Sequence, residues 1–90
     1  MRASDCKYEI ADEFIRLGCS VWQVRQLGHP GLIVGKNRRT ICIFAKDNQK
    51  PLRERMPTKD ELDFLKVWKG AVEVVEGVYD VGVIVERLDR

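Results

Sequence analysis

Ninety residues, 44% hydrophobic and 33% charged with a formal net charge of +2, make room for one domain and one core, since single domains usually run to about 100–150 residues. Apolar runs such as residues 41–45 fall far short of the ~20 residues of a membrane span, and the start Met1-Arg2-Ala3-Ser4-Asp5-Cys6-Lys7 lacks the apolar stretch of a signal peptide. The hydrophobic fraction also excludes a disordered chain, so the expectation is one globular α/β domain over residues 1–90, cytoplasmic, with no membrane partner.

The first helix is expected over residues 5–17, with Ser4 as its cap. Cys6, Ile10, Ala11, Phe14 and Leu17 recur at three- and four-residue spacing and form one apolar face. Gly18 suits a left-handed C-cap. Residues 20–26 read as a half-buried strand in which Trp22 and Val24 share a face. Gly28-His29-Pro30-Gly31 is a turn, which leaves His29 facing solvent. Leu32-Ile33-Val34 is a short strand, Gly35-Lys36-Asn37-Arg38 a hairpin connection, and residues 39–45 a central strand rich in β-branched residues. Residues 46–57 show no periodicity, and Pro51 and Pro57 disfavour helix before them. An exposed, basic loop is expected there, of a length that is often functional.

Thr58-Lys59-Asp60-Glu61 has the spacing of a capping box. A helix should follow to about residue 69, with Leu62, Leu65 and Trp68 inward and Phe64 beside them. Residues 71–75 read as a strand. Residues 78–88 fit two patterns: Val81, Val83 and Val85 alternate like a strand, whereas Val78, Val81, Ile84, Val85 and Leu88 recur at helical spacing. The order α-β-β-β-α-β plus a C-terminal element indicates an α/β sandwich with a mixed central sheet flanked by helices. Both tryptophans, Trp22 and Trp68, fall on apolar faces and are expected in the core.

Charge is uneven along the chain. Residues 25–59 carry nine basic side chains against two acidic ones, a net of +7, while the rest of the chain balances at −5. Such a block can meet phosphates by displacing counterions. Phe44 is the one aromatic residue inside it, so base stacking has little to work with. Cys6, Cys19 and Cys42 form no C-x-x-C pair, and together with a single histidine they offer neither a disulfide framework nor a zinc site.

Several strings resemble the PD-(D/E)XK nuclease superfamily, nearest to small phage-type members around the VRR-NUC and Holliday-junction-resolvase-like group. Leu17-Gly18-Cys19-Ser20-Val21-Trp22 looks like the family's first helix end and first strand. Pro30-Gly31-Leu32-Ile33-Val34-Gly35 stands where the family has P-D-L-h-V-G, with h apolar, and Ile43-Phe44-Ala45-Lys46-Asp47 stands where it has h-E-h-K-D. Asp47-Asn48-Gln49-Lys50-Pro51 and the string from Met56 to Phe64 resemble its basic loop and following helix. Trp68-Lys69-Gly70 and Val74-Val75-Glu76 resemble its closing strand. The resemblance implies a restriction-endonuclease-like fold and a helix over residues 78–88.

In that family an aspartate and a glutamate hold divalent metal, which suits hard oxygen ligands, and a lysine contacts the scissile phosphate. Here Gly31 replaces the aspartate and Phe44 the glutamate. Lys46 remains, as the remnant of the catalytic signature. Glu9 is the nearest candidate for a further carboxylate from the first helix, a place that Lys7 could take instead.

The resemblance thus implies a nuclease-like domain that binds nucleic acid, DNA above all, without cleaving it. The expected phosphate contacts are Lys36, Arg38, Arg39, Lys46, Lys50, Arg53 and Arg55. Lys46 is expected without a carboxylate from its own motif. No cofactor is expected on this reading. Mg²⁺ or Mn²⁺ enters only if relocated carboxylates (Glu9, Asp12, Glu13 or Asp47) make an active endonuclease. A third reading is a protein-interaction module, and a homodimer is compatible with each.

Overall fold

A computed structural model describes residues 3–25, 30–47 and 49–90, with side chains from residue 7 onward. The first helix begins at Ala3, so Ser4 lies inside it and is not its cap; the Cys6 side chain and the His29 turn lie outside the described residues. The elements are α1 (Ala3–Arg16), β1 (Ser20–Gln23), β2 (Leu32–Lys36), β3 (Arg39–Ala45), α2 (Leu52–Arg55), α3 (Lys59–Val67), β4 (Val72–Val75) and α4 (Val78–Leu88). The fold is mixed α/β, with one four-stranded sheet in the order β1-β2-β3-β4. β1, β2 and β3 pair antiparallel, and β4 joins β3 in parallel. No helix among the described residues is long and apolar enough to cross a membrane.

Helix α1 stops where the sequence places a stop. Gly18 has φ of +92°, the left-handed region that glycine enters without a Cβ clash. Gly18 N–H donates to the Ile15 carbonyl and Cys19 N–H to the Phe14 carbonyl, both at 3.0 Å, the paired bonds of a Schellman ending. Phe14 and Cys19 are both buried in the core, so the ending also aims the chain into β1. The β2–β3 hairpin turns on Asn37 and Arg38, with φ of 55° and 64°. Two positive values in a two-residue loop match the right-handed twist of the flanking strands.

Alternation along the strands sorts residues to two faces. Leu32, Val34, Ile41, Ile43 and Val75 meet Ile10 and Phe14 of α1 and Val81, Ile84, Val85 and Leu88 of α4 in the main core. Cys42 and Phe44 point to the other face, where Phe64 of α3 packs edge-on against Phe44 at 5.7 Å. The helical pattern wins over residues 78–88, because only a helix puts Val81, Ile84, Val85 and Leu88 on one side, and all four are buried.

Several expectations need correction. Trp22 is 74% exposed and Trp68 42% exposed, because α3 covers the centre of its face and leaves β1 open. On α3 Glu61 is the buried residue, with Phe64 and Leu65 half-buried beside it, and Leu62 is turned out at 47% exposure. One residue is a rotation of about 100° in a helix of 3.6 residues per turn, and an ion pair described below sets it. The segment before α3 is not wholly exposed loop. It contains the single turn α2 and the buried Asp47. The first strand stops at Gln23, short of the expected residue 26.

Candidate functional site

The β2–β3 register pairs Leu32 with Ile43. Continued by one residue, it sets Gly31 opposite Phe44. Backbone bonds carry the strands to this end of the sheet: Val24 N–H donates to the Gly31 carbonyl and Lys46 N–H to the Val75 carbonyl, both at 2.8 Å. Gly31, Phe44 and Lys46 therefore gather at one end of the sheet.

A side chain from α1 reaches the same place. A Cβ built on Gly31 would lie 3.1 Å from Cε and 3.5 Å from Nζ of Lys7. The Lys7 ammonium donates to the Val24 carbonyl at 2.9 Å. Its pKa is held below the ordinary lysine value by burial, and next by the positive charge of Arg25. Glu9 is exposed on the outer side of α1.

Phe44 is 3% exposed. Its ring meets Phe64, which stacks on Trp68 at 5.2 Å. Lys46 donates to both carboxylate oxygens of Glu61, at 2.7 and 2.9 Å, so it has the carboxylate partner that its own motif does not supply. Glu61 also closes the capping box: its Oε1 accepts from Thr58 N–H at 2.8 Å, and Glu61 N–H donates to Thr58 Oγ1 at 3.2 Å. Burial alone would raise the Glu61 carboxyl. The Lys46 ammonium and the bonds from Thr58 outweigh burial and hold it below its ordinary value.

Asp47 is 6% exposed. Its Oδ1 accepts from Gln49 N–H at 2.9 Å, while the buried Oδ2 has no hydrogen-bond partner among the described residues. Of the remaining acids considered, Glu13 is taken by Arg16 at 2.6 Å and Asp12 is exposed. No group of three His, Cys, Asp or Glu side chains is placed to hold a metal among the described residues. Gly31, Phe44, Lys7 and Lys46 offer no side-chain oxygen to a hard dication, and the carboxylate beside them, Glu61, is bound to Lys46.

The basic block does not form one surface. Strand β3 has seven residues, which separates its ends by roughly 20 Å. Lys36, Arg38 and Arg39 sit at the hairpin end. Two of them are tied to the end of α4: Lys36 pairs with Asp89 at 2.8 Å, and Arg39 donates to the Arg87 carbonyl at 3.0 Å. Lys46, Lys50, Arg53 and Arg55 follow the other end. Arg55 donates to the Lys50 carbonyl and pairs with Glu76 at 2.8 Å, so it braces α2 against the end of β4. Arg38 and Arg53 are exposed and Lys50 is half-buried.

The second role of Glu61 escaped the sequence reading, because T-x-x-E already explained it as a cap. A glutamate one turn into a helix, after a strand that ends in lysine, was the available signal. The chain matches no family model, no curated protein and no solved structure.

Proposed function

We propose that this chain is a nuclease-fold domain that holds nucleic acid through backbone phosphates and does not cleave it. The observation that supports this reading is the character of the sheet end, where the PD-(D/E)XK resemblance implies metal-binding carboxylates. Gly31 and Phe44 stand across from each other there, Phe44 is packed under Phe64, and Lys46 is engaged by Glu61. The positive charges of Lys50 and Arg53, just beyond this end, supply phosphate contacts. Such contacts position a backbone without reading its sequence.

The test is one gel. Linear and branched DNA are incubated with the protein in Mg²⁺, in Mn²⁺ and in EDTA. Retardation without cleavage is expected, equal with and without metal, and weakened at least tenfold between ~50 and ~300 mM salt. Metal-dependent cleavage would show an active endonuclease with relocated carboxylates, and binding indifferent to salt would remove the phosphate contacts.

One observation favours a second reading, a protein-interaction module or homodimer. Trp22, Ile33, Val74 and Trp68 leave an exposed apolar surface on the α3 side of the sheet. A cavity of about 140 Å³ lies beside them, lined by Val24, Pro30, Ile33, Cys42, Phe64 and Trp68. Contiguous apolar surface of this kind often marks contact with a partner. No retardation of any DNA at low salt would turn the assignment to this surface.

A further inference from the structure

We propose that Lys7 is a fixed cation that stands in for a divalent metal at this end of the sheet and, with Arg25, forms a phosphate site. On the nucleic-acid reading, on which this inference rests for its natural ligand, the phosphate belongs to a DNA backbone. Two features meet at one spot. The residue at position 31 has no side chain, and the space its Cβ would enter is filled by the end of Lys7, with Cε at 3.1 Å. Where the nuclease resemblance implies a carboxylate that holds a mobile cation, a covalently tethered cation stands instead.

Chemistry at the site favours an anion from outside. The Lys7 ammonium has three donor hydrogens, and one hydrogen bond, to the Val24 carbonyl, orients it. Arg25 follows Val24 in the chain and is exposed. Among the described residues neither Lys7 nor Arg25 has a carboxylate within ion-pair distance. Glu61, the buried carboxylate at this end of the sheet, is bound to Lys46. The position opposite Gly31 is filled by the buried ring of Phe44, which offers no competing charge. Burial and, next, the charge of Arg25 lower the pKa of Lys7, and a bound phosphate would favour its charged form through charge-assisted hydrogen bonds. A tethered ammonium also needs no metal, so the site works in a chelator.

The experiment uses the full chain with two probes. One is a fluorescein-labelled DNA duplex followed by anisotropy in EDTA across a salt series. The other is inorganic pyrophosphate, followed through the backbone amide resonances of Gly31 and Arg25. Lys7→Gln should weaken DNA binding about fivefold and lower the salt slope by about 0.9, the value of one phosphate contact, while Lys7→Arg keeps both. Gly31→Asp is the independent variant: it puts a carboxylate beside Lys7, whose side chain must shift to admit the new Cβ, and should mimic Lys7→Gln. Pyrophosphate should shift both amides in the wild type and neither in Lys7→Gln. Wild-type DNA binding that Lys7→Gln and Gly31→Asp leave intact overturns the site and spares the nucleic-acid reading. Failure of the wild type to bind DNA, with the pyrophosphate shifts present and lost in Lys7→Gln, overturns that reading and keeps Lys7 as a phosphate site. Neither response overturns both.

Discussion

Glu61 joins two elements through one carboxylate: it caps α3 through Thr58 and holds Lys46 at the end of β3. Because its folded pKa lies below the ordinary value near 4.5, the unfolded chain binds the proton more readily. The stability it contributes is therefore present above about pH 4.5 and is lost as pH falls through the lower, folded value. Glu61→Gln should cost about 2 kcal/mol at pH 7, from a weakened cap and a half-buried ammonium left without its charge partner. Urea unfolding from pH 7 to pH 3 should show the gap between variant and wild type closing towards the acid end. Burial pushes up the thiols of Cys19 and Cys42, and both are enclosed. Neither should react with a thiol reagent at pH 7.5 until the protein unfolds, because the thiolate is the nucleophile. Mass spectrometry of the labelled peptides reads this site by site.

At the scale of elements, α1 and α3 carry their termini in local sequence. The Gly18 ending and the Thr58 capping box each need only a few neighbouring residues. Helix α4 is different, since its valines satisfy both a strand and a helix pattern, and its burial against α1 and the sheet decides. Gly82 lies on its exposed side, and a Cβ there meets nothing within 4 Å. Gly82→Ala should therefore stabilise the protein by about 0.5–1 kcal/mol, the propensity difference alone, measured as a rise in the urea midpoint at unchanged slope. The rotation of α3 has a tertiary cause. Hydrophobic spacing points Leu62 inward, but the ion pair with Lys46 draws Glu61 in, and Leu62 turns to solvent.

For the whole molecule, the sheet sets what can act together. Residues 25–59 form one basic block in sequence, but β3 carries its two parts to opposite ends, and Asp89 and Glu76 partly neutralise them. The α3 side of the sheet is covered only at its centre, so Trp22 stands open on β1. Acrylamide should quench tryptophan emission strongly in the dilute protein, and Trp22→Phe should remove the more accessible component. A fall in quenching as protein concentration rises, absent in Trp22→Phe, would show a second copy covering this face.

The sequence by itself determined the order α-β-β-β-α-β through β4 without the single turn α2, the α/β class, the Gly18 and Thr58 helix signals and the hairpin between β2 and β3. These rest on short-range rules of spacing, capping and turn geometry that act within a few residues. The resemblance placed Gly31, Phe44 and Lys46 as comparable positions without bringing them together. Only the tertiary structure decided that Gly31 and Phe44 face one another, that Lys7 reaches across from α1, that Glu61 answers Lys46, and that Trp22 is left in water. Each of these is a contact between segments far apart in the chain. Its geometry depends on strand register and helix rotation, which periodicity fixes only to the nearest face, and one residue of slip exchanges a buried side chain for an exposed one.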